Sequence, residues 1–225
     1  GGGALMNSSA TGATYAGSIA LGSSSSVIGS GGSISLTGGV GNPASAATLT
    51  LGGTVGGTLS GVASGSNVLL TKTDAGTWTL TGNEGNGGVV TINAGTLALT
   101  GSGALGNPSS VAINNTGILD MSGVSGAGLT MYLLTGNSSA ANINLGAKVL
   151  TTIGTSSSTY AGTLTSTAAG GLVVSIANGT TLTLTGNSTN FNGTLTISAA
   201  GRTVKVAGTG SLGNVGNISN TGALI

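Results

Sequence analysis

The feature that most constrains this chain is a strict two-residue alternation of small polar and branched apolar side chains, repeated in short runs along its length. Examples are Ser33-Ile34-Ser35-Leu36-Thr37, Thr48-Leu49-Thr50-Leu51, Thr77-Trp78-Thr79-Leu80-Thr81, Thr96-Leu97-Ala98-Leu99-Thr100, Thr181-Leu182-Thr183-Leu184-Thr185 and Thr194-Leu195-Thr196-Ile197. A period of two sends successive side chains to opposite faces, so each run reads as a strand with one aliphatic face and one Thr/Ser face. Clusters such as Thr81-Gly82-Asn83 and Gly106-Asn107-Pro108 separate the runs and supply the turn conformations that corners need. Gly and β-branched residues at this density disfavour a helix throughout.

The runs also recur at long range. Leu80-Thr81-Gly82-Asn83 returns as Leu184-Thr185-Gly186-Asn187, Gly103-Ala104-Leu105-Gly106-Asn107 as Gly210-Ser211-Leu212-Gly213-Asn214, and Asn115-Thr116-Gly117-Ile118-Leu119 as Asn220-Thr221-Gly222-Ala223-Leu224. Together these mark an approximate internal duplication, about 47–119 and 141–224, inside a single domain spanning 1–225. A shorter motif, an aromatic two residues before Gly, opens the runs after Tyr15, Tyr160 and Phe191, which are expected to stack on a neighbouring coil. A lone coil cannot bury its own apolar face, whereas coils stacked about 4.8 Å apart pair every strand and enclose an aliphatic column. The expected fold is therefore an all-β, right-handed parallel β-solenoid. With roughly 20–25 residues per coil it has about 9–11 coils and forms a rod about 45–50 Å long. Inward positions are expected to be small and aliphatic, and outward Thr, Ser and Asn to form ladders.

Composition sharpens the functional reading. The chain has 46 glycines but only four Lys and Arg against three Asp and Glu, a formal net charge of +1. With no basic stripe, nucleic acid is not expected as a partner. No apolar run approaches the roughly 18–20 residues of a membrane helix, so membrane insertion is not expected. The start Gly1-Gly2-Gly3-Ala4-Leu5-Met6 carries no secretory signal pattern, so an exported form would have its signal removed or outside this chain. There is no Cys and no His, which excludes thiolate and imidazole chemistry, and no cofactor or metal site is expected.

The only carboxylates are Asp74, Glu84 and Asp120, too few for paired acid–base work or cation ligation, so no catalytic residue is assigned and the chain reads as a non-enzyme. Lys72 and Asp74 are expected to pair on an exposed turn, Glu84 to be solvated, and Asp120 to be a solvated charge at an outward strand position. Gly82-Asn83-Glu84-Gly85 is rich in glycine but lacks the Gly-Lys-Ser/Thr ending of a phosphate loop.

Leu70-Thr71-Lys72-Thr73-Asp74-Ala75-Gly76-Thr77-Trp78-Thr79-Leu80-Thr81-Gly82-Asn83, followed by Gly87-Gly88-Val89-Val90-Thr91-Ile92-Asn93-Ala94-Gly95-Thr96-Leu97-Ala98-Leu99, resembles the passenger-associated β-strand repeat of bacterial autotransporters. The likeness covers about thirty residues and returns in degenerate form at 181–206, with Trp78 standing where the repeat usually has a small aliphatic residue. The resemblance implies a right-handed β-helix exported to the bacterial surface, where such rods serve as stalks, adhesins or sheath material.

Two short segments, Gly3-Ala4-Leu5-Met6 and Gly222-Ala223-Leu224-Ile225, each look like half of the Thr116–Met121 rung. They are the expected assembly interface, through which copies stack head to tail as a heterologous, non-closing contact. The expected function is thus a secreted or cell-surface structural subunit of a filament, fibre or sheath. Its main partner would be other copies of itself, and adhesion to glycans or surfaces would be a secondary role. The alternatives are a passenger stalk fragment of an autotransporter adhesin, and an ice- or surface-binding solenoid built on the Thr-x-Thr runs. A glycan-binding adhesin would draw its stacking aromatics from Trp78, Tyr15, Tyr132 and Tyr160.

Overall fold

A computed structural model describes residues 5–41, 43–61, 67–82, 87–213, 215, 217–220, 223 and 224. Every strand pairing in it is parallel, and the sheets stack as a β-solenoid of about nine turns, within the expected range. Partners in adjacent turns lie about 19 residues apart where Thr77 faces Thr96, and about 24 apart where Leu119 faces Ile143. Corners absorb this variation, and the ladder continues.

Most strands fall into three columns, with Ile19–Ala20 and Val40–Gly41, and Asn187–Ser188 and Ser211–Leu212, pairing as two short sheets of their own. The first begins with Leu5–Asn7, Ser25–Gly29, Ala47–Gly52 and Val68–Lys72, runs through the opening halves of Val89–Gly101 and Ser110–Val124, and reaches Leu133–Thr135. A bridge from Gly136 to Tyr160 carries it on through Ser158–Tyr160, Thr181–Leu184, Thr203–Val206 and Ala223–Leu224. The second column holds Ala13–Tyr15, Ile34–Leu36, Gly56–Leu59, Thr77–Leu80, the closing halves of the two long strands, Asn142–Gly146 and Thr163–Ser166. The third is continuous from Gly128–Met131 through Val149–Thr152, Gly171–Val174 and Thr194–Ile197 to Asn217–Asn220.

The alternation in the sequence becomes the in–out rule of the fold. Thr181–Leu184 and Thr194–Ile197 bury every second residue, and Leu97 and Leu195 are fully enclosed, as their alternating positions require. Stacking then lines up like with like. Leu49, Leu70, Val90, Val111 and Leu134 form one inner row of the first column, and Leu36, Leu59, Leu80 and Leu99 one of the second. Each such side chain contributes about 1.5–3 kcal/mol by burial. Polar ladders run outside: Asn114 donates to Asn93 Oδ1 at 3.2 Å and Asn142 to Thr163 Oγ1 at 2.8 Å. One inward hydroxyl breaks the pattern, since Thr152 is 1% exposed and its Oγ1 has no hydrogen-bond partner.

The aromatic residues overturn one expectation. Trp78, Tyr160 and Phe191 are fully buried inside the solenoid, in rows expected to be small and aliphatic. Room comes from the turn before. Trp78 lies opposite Gly57, Tyr160 opposite Gly136 and Phe191 opposite Ser166. A Cβ on Gly57 would stand 3.0 Å from the indole Cη2, and one on Gly136 would stand 2.8 Å from the Tyr160 ring. The polar ends are also satisfied, because the indole Nε1 donates to the Gly52 carbonyl at 3.0 Å and the Tyr160 hydroxyl to the Thr163 carbonyl at 3.2 Å. Tyr160 and Phe191 therefore pack within the core, and of the three motif aromatics only Tyr15, 43% exposed, stays on the surface.

Candidate functional site

With so few charges in the chain, each one placed by the structure is informative. Lys72 belongs by register to an inner row, between Leu51 and Ile92, and is fully buried. This corrects the expected exposed pair with Asp74. The long side chain follows the core wall until its ammonium reaches a corner, where it donates to the carbonyls of Thr73, Asp74 at 2.7 Å and Ala94 at 3.0 Å. Burial pushes its pKa down to about 8, and the nearby Asp74 carboxylate acts in the opposite sense. Asp74 adopts a positive φ of 57° and turns its Oδ2 to the Gly53 amide, 2.7 Å away in the preceding turn. Lys72 and Asp74 thus fasten three consecutive turns at one corner.

Asp120 stands at the expected outward strand position, and hydrogen bonds hold one of its carboxylate oxygens. It is half-buried, and its Oδ1 accepts from the Ser122 amide at 3.0 Å, the Ser122 hydroxyl at 2.7 Å and Asn144 Nδ2 at 3.1 Å. Such charge-assisted bonds order the corner through Oδ1. Glu84 lies outside the described residues. Among the described residues no group of three or more His, Cys, Asp or Glu could hold a metal ion, and no helix is long and apolar enough to cross a membrane.

The residues expected to form the assembly interface separate into two places. Leu5 and Met6 lie in Leu5–Asn7, which pairs with Ser25–Gly29, while Ala223 and Leu224 lie in a strand that pairs with Thr203–Val206. Both strands belong to the first column, at its opposite ends. Leu5 is half-buried and Met6 is 56% exposed. Around this end a pocket of about 330 Å³ opens onto Leu5, Tyr15, Ile19, Leu21 and Val27. Gly3, Ala4, Gly222 and Ile225 lie outside the described residues.

The two Thr-x-Thr runs singled out in the sequence sit in different columns, Thr77–Leu80 in the second and Thr181–Leu184 in the first, so they do not form one array. Rows of this kind form across turns instead, as Thr14, Ser35, Thr58 and Thr79 do in the second column. Ser26, Thr50, Thr71, Thr91, Ala112 and Thr135 stand in register on the outer face of the first column. Of the aromatics considered for stacking on a glycan, Trp78 and Tyr160 are enclosed, which leaves Tyr15 and Tyr132, the latter 46% exposed. The fold places the chain among the parallel β-solenoids. Comparison with protein-family models, with curated proteins and with solved structures finds no match.

Proposed function

We propose that this chain is a structural subunit of a bacterial surface filament, fibre or sheath, exported from the cell, in which copies stack head to tail and adhesion is a secondary, non-enzymatic role. The observation that carries this reading is that one parallel column runs through the chain from Leu5–Asn7 to Ala223–Leu224, each turn pairing with the next in the same parallel sense. A parallel edge of unpaired amides and carbonyls is a template for the next strand, and the rule joining coils within the chain also joins coils between chains. A surface with almost no net charge favours such contact, since copies do not repel one another. The resemblance of residues 70–99 to the autotransporter repeat supports a second reading, a passenger stalk in which the neighbouring coils belong to the same polypeptide.

Negative-stain electron microscopy over a rising concentration series tests the proposal. Filaments whose width matches one solenoid are expected, and Leu5→Asp should abolish them while leaving the far-ultraviolet β signal unchanged. Monodisperse short rods at high concentration would overturn the stacking model.

A further inference from the structure

The outer face of the first column has a chemistry that stacking does not use. Its central row is Ser26, Thr50, Thr71, Thr91, Ala112 and Thr135, one residue per turn about 4.8 Å apart. Two residues before this row, on the same outward side, a mixed row runs through Thr48, Leu69, Val89, Ser110 and Leu133, of which Val89 is 37% exposed. On the other flank Asn93 and Asn114 join amide to amide. No residue of the three rows is charged. The mixed row ends beside Tyr132, whose amide donates to the Pro108 carbonyl at 3.0 Å and whose side chain lines a cleft of about 270 Å³ with Ser109, Leu133, Gly154, Thr155 and Ser156.

We propose that this face binds a neutral polysaccharide chain lying along the solenoid axis, with Tyr132 as the platform for one sugar ring. Four considerations select that occupant. The strands from Ser25–Gly29 to the opening half of Ser110–Val124 are paired on both sides, and the Gly136 to Tyr160 bridge follows Leu133–Thr135, so most of the face offers no edge for an added peptide strand. The charge beside the three rows is the Asp74 carboxylate at the flank formed by Gly52 and Thr73, held by the Gly53 amide, and it disfavours an acidic polymer, while the rows themselves offer no partner to a basic one. Threonine hydroxyls and asparagine amides both donate and accept, as the hydroxyls of a sugar require. Leu69, Val89 and Leu133, interrupted by Ser110, and the tyrosine ring suit the C–H faces of pyranose rings, and the spacing of the turns is close to the length of one sugar residue. Ice, which also matches regular threonine rows, needs a flat surface, and the Tyr132 cleft interrupts the plane.

This inference names the adhesive partner of the function proposed above and rests on that reading only for the chain's exposure to polysaccharide. Stacking is therefore scored separately by microscopy. The binding experiment is retention of the purified chain on insoluble cellulose, with polygalacturonate as the acidic comparison and thermal hysteresis as the readout for ice. Wild type should be retained on cellulose. Tyr132→Ala and Thr71→Lys should each reduce retention at least five-fold without changing the melting temperature by more than a few degrees. Thr196→Lys, outward on the third column, should have no effect on retention. No retention of wild type, retention unchanged by Tyr132→Ala and Thr71→Lys, or stronger binding to polygalacturonate would each overturn the assignment. Thermal hysteresis abolished by Thr71→Lys would give the face to ice instead.

Discussion

Lys72 shows how a single side chain can belong to the core by register and to a corner by chemistry. The unfolded chain holds its ammonium at the ordinary value of 10.5, and burial lowers the folded value to about 8. Between these limits the unfolded state binds more protons than the folded one, so stability rises with pH across the interval. Below about 8 both states are protonated and the cost of the buried charge is constant. Above about 10 the Tyr160 phenol, whose pKa burial raises, titrates in the unfolded chain first and works in the other direction. Urea midpoints measured from pH 7 to 10 should therefore climb, and Lys72→Met should flatten the climb. A flat wild-type profile would mean that the ammonium is better solvated than its surroundings indicate. In the sequence Lys72 reads as a surface charge beside Asp74. Only register shows that it occupies the same inner row as Leu51 and Ile92.

At the scale of elements, the strands were legible because alternation along the chain is a local signal. Thr96-Leu97-Ala98-Leu99 states its own facing, and both leucines are enclosed. Packing between turns is not local, and there the sequence is silent. Nothing near Trp78 announces that Gly57, in the preceding turn, leaves it room. The glycine is needed for a second reason, because a Cβ there would lie 2.1 Å from the carbonyl oxygen of Ile34. Gly57→Ala should accordingly destabilise the chain by about 1–3 kcal/mol, the range for overpacking. Adding Trp78→Leu should fail to restore the loss, since backbone is the nearer obstacle. Chemical denaturation of the two variants decides this, and full rescue would place the strain in the indole contact instead.

Across the whole molecule, stability is close to a sum over turns and their interfaces. Val89–Gly101 and Ser110–Val124 are the longest strands and have paired turns on both sides, while Leu5–Asn7 and Thr203–Val206 lie near the extremes of the stack. Hydrogen exchange should be slowest in the two long strands and quicken toward either extreme. Uniform protection along the rod would show that the turns unfold only together. The parallel stack was readable from recurrence, but a recurrence need not keep its column. Leu80 lies in the second column and Leu184 in the first, so their segments share a local pattern while facing different sides of the rod. The candidate face was less legible still, because a row built from one residue per turn leaves no trace in any short stretch of chain.

The pairing of each buried aromatic with a small residue in the turn before it has a consequence for how such a rod can change. Backbone hydrogen bonds treat all turns alike and would accept them in any order. Trp78, Tyr160 and Phe191 do not, because each fits only above the turn that holds Gly57, Gly136 or Ser166. The turns consequently carry addresses. A shuffled chain would keep its ladder and lose its core, so duplication or deletion can be neutral only where it moves an aromatic turn and its predecessor as one block.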